Sequence, residues 1–186
     1  MRKILFVNAC AREESRTLRL AKAVLDKTDG EVTEINLYDE NIAPLNRESL
    51  AERDNILSEE DYGHEMLKYA REVASADEIV IAAPYWDLSF PSVLKIFIEA
   101  VTVSGVTFVY SEEGYPIGRC RAEKMTYVTT SGGPIGDYDF GYSYVKTIFH
   151  DMYGIEETKA IRLENLDIAG NNPELMLERA IENLGV

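Results

Sequence analysis

The chain has 186 residues, 46% of them hydrophobic and 28% charged, with 33 acidic against 19 basic side chains and a net charge of -14. That length suffices for one domain, 1–186, whose core needs neither disulfides nor a metal, and the acidity argues against any role on nucleic acid phosphates. No apolar run approaches the roughly 20 residues of a membrane span, which excludes an integral membrane protein; with only Cys10 and Cys120 there is no disulfide framework, as suits a reducing cytoplasm.

The first element, KILFVN (3–8), is an apolar run closed by a polar residue, the pattern of a strand buried on both faces. Thr17, Leu20, Ala21, Val24 and Leu25 then share one helical stripe. EVTEINLY (31–38) alternates apolar and polar residues, like a strand near a sheet edge. NRESLAERDNILSEED (46–61) and HEMLKYAREVASA (64–76) read as helices that meet at the breaker DYGH. DEIVIAAP (77–84) is a second fully buried strand, and PSVLKIFIEAV (91–101) a helix with Pro91 near its first turn. GVTFVY (105–110) and KMTYVTTSGG (124–133) are strand-like, GYSYVKTIFHDMYG (141–154) is helical, and EETKAIRLENL (156–166) reads as the last strand. NNPELMLERAIENLG (171–185) closes the chain as a helix with Asn172 as N-cap, Pro173 at its first position and Gly185 past its end.

Strand and helix alternating in this way predict a mostly parallel sheet with right-handed crossovers and helices on both faces. Ligands bind such sheets beyond the carboxyl ends of the strands, where strand order reverses. The loops 8–17, 84–90 and 130–138 are therefore expected to form one site.

Each loop has its own chemistry. NACAREESRT (8–17) enters a helix through Ser15, Arg16 and Thr17, whose hydroxyls and first-turn N–H groups suit a phosphate, with Arg12 and Arg16 as further donors. A plain N-cap with solvated arginines explains the same residues. Neither G-x-G-x-x-G nor a GKS or GKT loop is present, so the dinucleotide and triphosphate motifs are excluded. In the second loop Pro84, Tyr85, Trp86, Asp87 and Leu88 end a buried strand on two large aromatics, which suit a flat ring or, equally, a subunit interface. The third loop, TTSGGPIGDYDFGY, supplies Thr130, Ser131, Gly132 and Gly133, where glycine lets the backbone approach a ligand. One flat heterocycle carrying one phosphate satisfies all three, and FMN is such a molecule. No metal site is assigned.

From Ile79 to Gly133 the chain resembles the flavodoxin-like FMN-dependent NAD(P)H:quinone oxidoreductases, especially the NADH-azoreductase branch. The residues that carry the resemblance are IVIAAPYWDLSFPSVLKIFIEAV, then SGVTFVYSEEGYPIG, then TTSGG, in that order and spacing. The resemblance implies a flavodoxin-like α/β three-layer sandwich around a five-stranded parallel sheet. It also implies that Ser15, Arg16 and Thr17 form the phosphate turn, with Cys10 where many relatives have serine. Tyr85 to Leu88 would border the isoalloxazine ring, and Thr130 to Gly133 its other edge. Tyr138 stands where the eukaryotic branch has a tyrosine that assists hydride transfer, whereas its companion histidine is replaced by Tyr144. His150 is expected to be structural or interfacial, and His64 has no evident partner.

The activity so implied is ping-pong: NADH or NADPH gives hydride to flavin N5, and a quinone, azo compound or nitroaromatic then takes two electrons. A homodimer with the site at the subunit interface is implied as well. The alternative is an electron-carrier flavodoxin that has no substrate of its own and docks redox proteins through its acidic surface. The length, the G-x-T-F-x-Y segment and the 44–76 insertion, a candidate wall for a substrate pocket, favour the enzyme.

Overall fold

The computed structural model describes residues 1–185. Its central sheet is built from β1 (Lys3–Asn8), β2 (Glu31–Asn36), β3 (Glu78–Ala82), β6 (Lys124–Thr130) and β7 (Glu157–Leu163), all parallel, in the order β2-β1-β3-β6-β7. Between β3 and β6 the chain forms a separate antiparallel hairpin, β4 (Phe108–Tyr110) and β5 (Pro116–Gly118). The helices are α1 (Arg16–Leu25), α2 (Arg47–Ser58), α3 (Lys68–Ser75), α4 (Ser92–Val101), α5 (Phe140–Lys146) and α6 (Pro173–Glu182).

Side-chain alternation along each strand divides the core into two layers. Ile4 and Phe6 of β1 join Val80, Ala82 and Val128 under α1 and α6, packing on Leu20, Val24 and Leu177. Leu5 and Val7 face the other way with Ile79, Ile81 and Tyr127, covered by Val73 of α3, Phe97 of α4 and Phe149. β1 and β3 are buried on both faces along nearly their whole length, whereas β2, at the sheet edge, is exposed from Glu31 to Glu34 and buried only at Ile35. At the helix ends, Ser15 and Asn172 cap α1 and α6 as their side chains suggest, and Pro173 occupies the first turn of α6.

Three segments differ from what periodicity suggests. GVTFVY does not enter the main sheet: Thr107 Oγ1 accepts from Val103 N at 3.1 Å and donates to Val101 O at 2.9 Å, folding 101–107 into a tight turn that leaves a three-residue strand for the hairpin. The helix after Asp139 widens into a π-helical segment over Thr147–Met152, which brings Phe149 and Tyr153 inward together, their rings 5.0 Å apart. Pro91 is the N-cap of α4 rather than a residue of its first turn.

The sheet order places the reversal between β1 and β3, since β2 lies outside β1 while β6 and β7 continue beyond β3. The strands end level there. Ala9 N donates to Ala82 O at 2.8 Å, Ala83 N to Val128 O at 3.0 Å, Tyr85 N to Thr130 O at 3.1 Å and Ser131 N to Leu163 O at 3.0 Å. Four loops consequently leave the sheet side by side.

Candidate functional site

Residues 9–15 turn from β1 into α1. Ser15 Oγ accepts from Leu18 N at 3.3 Å, while the Arg16 and Thr17 N–H groups, at the start of the helix, have no partner among the described residues. No acidic side chain lies in the first turn of α1 itself, and the nearest acid along the chain that lines the cavity is Glu14, just before the N-cap. Thr17 is buried, and its Oγ1 is 2.7 Å from Thr130 Oγ1, which fastens α1 to the end of β6.

The second loop contains a strained turn. Trp86 N donates to Ser89 O at 3.1 Å and Ser89 N to Trp86 O at 2.8 Å. Asp87 (φ 49°) and Leu88 (φ 65°) between them are both left-handed. This is the dihedral pattern of a type I′ turn, normally filled by Asn-Gly. For a leucine it costs about 1–2 kcal/mol, and such strain persists where surrounding contacts enforce it. Here the Tyr85 hydroxyl donates to Tyr138 O at 3.0 Å on one side, and the Phe90 ring packs 5.9 Å from Tyr144 on the other. The turn points the Asp87 and Leu88 N–H groups away from its own ladder, and neither has a partner among the described residues.

The third loop is backed by a fourth. Asn165, Leu166 and Asp167, which follow β7, donate their N–H groups to Gly133 O (3.3 Å), Ser131 O (3.1 Å) and Gly132 O (2.9 Å). Glu164 Oε2 accepts from Ile135 N at 2.8 Å. A Cβ at Gly132 would displace the Asp167 carboxylate from its place, whereas one at Gly133 would meet nothing. The Gly132 and Gly133 N–H groups are also without partners among the described residues.

These loops enclose a cavity of about 300 Å³, at the lower end of the range for small-molecule sites. Of the expected residues, Arg12, Ser15, Arg16, Thr17, Pro84, Tyr85, Trp86, Thr130, Ser131 and Gly132 line it. Cys10, Asp87, Leu88, Gly133 and Tyr138 do not. Cys10 is buried beneath the loop, its thiol 3.8 Å from Ala82 O. Burial pushes that thiol up to about 11, tempered by a hydrogen bond from Ser15, so it is a neutral core group. Partial desolvation, with Asp139 and Glu164 nearby, raises the Tyr85 phenol and keeps it a hydrogen donor. Tyr138 is exposed beside the mouth, its ring 6.3 Å from Phe140.

Ala11, Glu14, Leu166 and Asp167 complete the lining. The last two come from a loop that sequence reasoning passed over, although the rule that loops share the carboxyl ends of parallel strands applies to β7 as well. The 44–76 segment contributes nothing to this cavity. It walls a separate one of about 350 Å³ through Pro44, Leu45, Met66 and Tyr69. Tyr144 packs on Phe90, His150 Nδ1 pairs with Asp151 at 2.6 Å, and His64 Nδ1 accepts from Met66 N at 3.2 Å. Among the described residues no group of side chains could hold a metal ion, and no helix is long and apolar enough to cross a membrane.

An FMN-dependent NADH:quinone oxidoreductase of Clostridium perfringens is 36% identical over 191 residues, spanning 98% of this chain and 96% of that protein. The FMN-dependent NADH:quinone oxidoreductase 2 of Clostridium acetobutylicum is 36% identical over 195 residues with the same coverage. Among solved structures, an azoreductase from Bacillus anthracis str. Sterne superposes with a TM-score of 0.84 at 23% identity, covering 98% of this chain and 96% of that one. An FMN-dependent NADH-azoreductase from Bacillus anthracis str. Ames Ancestor, in complex with FMN, superposes with a TM-score of 0.81 at 23% identity, covering 98% and 95%. With residues 2–185 matching the profile of the family described as flavodoxin-like fold, the chain belongs to that family.

Proposed function

We propose that this protein is an FMN-dependent NADH oxidoreductase that passes two electrons to quinones, with azo and nitroaromatic compounds as further acceptors. The observation that carries the reading is one cavity whose two sides differ in chemistry. From the α1 side it is lined by unpartnered helix N–H groups, hydroxyls and Arg12, and from the β3 and β6 loops by Tyr85, Trp86 and Gly132 with its unpartnered N–H. A molecule with a phosphate at one end and a flat hydrogen-bonding ring at the other fits both, and the two clostridial relatives are named for FMN.

FMN, when bound, supplies the redox chemistry, taking hydride from NADH and yielding two electrons to the acceptor. The chain's own part is placement and electrostatics. Ser15, Thr17, the Arg16 and Thr17 N–H groups and Arg12 hold the phosphate. The Asp87 and Leu88 N–H groups, beside the cavity, would serve a bound ring on one side, and those of Gly132 and Gly133 would offset the negative charge that develops on reduction. Trp86 and Tyr85 exclude water from the ring's surroundings. Tyr138, beside the mouth, is a candidate to orient the nicotinamide or the acceptor.

Trp86, Leu88, Tyr138 and Phe140 are exposed on the second and third loops and the start of α5, and Tyr110, Tyr115 and Ile117 are exposed on the separate hairpin. We assign them to a homodimer interface, since exposed apolar patches of this kind mark contact surfaces; sedimentation at micromolar concentration checks it. The two free cysteines suit a cytoplasmic setting.

The deciding experiment is an anaerobic absorption spectrum of the FMN-reconstituted protein, before and after NADH and then after benzoquinone. Bleaching by NADH with full return on quinone is expected. Flavin that binds but stays oxidised in NADH would transfer the protein to the electron-carrier class, and failure to bind flavin would overturn the site.

A further inference from the structure

The Arg16 side chain does something the phosphate turn alone does not require. Its Nη1 and Nη2 both donate to Asp167 Oδ1, each at 3.0 Å. Both residues line the cavity, so the pair links the start of α1 to the loop after β7 across the cofactor space. Asp167 is itself fixed from behind: its N–H donates to Gly132 O at 2.9 Å, its neighbour Leu166 is tied to Ser131, and the missing Cβ of Gly132 makes room for the carboxylate. A short side chain anchored by main chain thus holds the end of a long, flexible one.

The pair engages one N–H on each terminal nitrogen, so the guanidinium keeps further donors for a ligand. Ordering a long arginine before the ligand arrives removes part of the entropy cost of binding. A competing role for Asp167, repelling a phosphate, is weakened by its exposure: its side chain is 63% exposed, against 33% for Arg16. Solvent screens the more exposed charge more than the less exposed one.

We propose that Asp167 is a positioning residue for the phosphate end of the flavin site, holding the Arg16 guanidinium beside the first turn of α1 so that the cavity favours FMN over riboflavin. This rests on the flavin reading above. Apo protein is titrated with FMN and with riboflavin, following quenching of flavin fluorescence, in the wild type, Asp167→Asn, Asp167→Glu, Arg16→Gln and the Asp167→Asn/Arg16→Gln double variant. Asp167→Asn weakens FMN about two- to fivefold, the range of an exposed ion pair, and leaves riboflavin unchanged. Asp167→Glu recovers part of the loss, and the double variant is no worse than Arg16→Gln alone. Tighter FMN binding in Asp167→Asn would make the aspartate a competitor and overturn the proposal. So would equal losses for FMN and riboflavin, no change, or additive losses in the double variant. A wild type that binds neither flavin would overturn the flavin reading, and this inference with it. Thermal unfolding of the apo forms, expected to be unchanged, separates lost binding from lost fold.

Discussion

At the amino ends of the strands, Glu78 is buried with Arg2 at 3.2 Å and Lys124 at 3.1 Å, while Asp77 accepts from Lys3 N at 2.8 Å and pairs with Arg121 at 2.6 Å. At the carboxyl ends of the same strands, N–H groups at Arg16, Thr17, Asp87, Leu88, Gly132 and Gly133 have no partner among the described residues, and two adjacent residues sit in left-handed conformations. One end of the sheet satisfies its polar groups internally; the other leaves N–H groups without protein partners, open to solvent or, on the reading proposed above, to a flavin.

The largest test of that contrast lies at the closed end. Glu78→Gln leaves Lys124, itself mostly buried, without its counter-charge. Breaking one side of a buried pair costs about 3 kcal/mol, read as a lower urea midpoint. FMN affinity should not change, because none of these residues lines the cavity. If flavin binding fell in step with stability, the two ends would not be separable.

Cys10 sharpens the contrast from beneath the open end. Its folded thiol is raised from the ordinary 9.0 to about 11, chiefly by burial. A group whose folded value is raised contributes its full stability below the unfolded value, and loses that contribution as pH rises through the folded one. Stability should therefore fall between pH 9 and about 11, by about 2 kcal/mol at most. The comparison of wild type with Cys10→Ala over that window isolates the thiol's share; an identical slope in both would place the loss elsewhere, for instance at Cys120, which burial raises to about 12.

Next in size is the hydroxyl pair that ties the site to the sheet. Thr17→Val leaves Thr130 Oγ1 without its 2.7 Å partner, at a cost of about 1–2 kcal/mol, whereas the Thr17→Val/Thr130→Val double variant is closer to neutral. Chemical denaturation of the three forms gives the coupling directly. Additive losses would mean that water already serves both oxygens.

How much of this was legible follows from which signals are local. The buried strands β1 and β3 declare themselves by continuous apolar runs, and the loops after β1, β3 and β6 by the abrupt appearance of Ser15, Trp86 and Gly132. The loop after β7 contains neither glycine nor an aromatic at 164–168, so Asp167 emerges only once the strand order is known. The pairing of Arg16 with Asp167, 151 residues away, has no local signature at all. Propensity identifies Phe108–Tyr110 as extended but not the strand it joins, because that depends on the Thr107 turn. The widened helix over Thr147–Met152 is equally silent: its apolar residues fit a regular helix, and the contacts that accompany the π form, Tyr153 with Thr102 and with Phe149, are not legible locally.

The smallest effect expected is also the most specific to the open end. Leu88 is 45% exposed at φ 65°, so Leu88→Gly relieves the left-handed penalty while forfeiting limited apolar contact. Glycine's greater freedom in the unfolded chain takes back part of that gain, leaving a net rise of about 0.5 kcal/mol in apo stability. The same freedom loosens the turn, so its N–H groups are less fixed toward the ring and FMN binds more weakly. Stability rising while affinity falls is the signature of strain kept for a ligand. If both fall together, Leu88 is an ordinary packing residue and the contrast between the two ends rests on the unpartnered N–H groups alone.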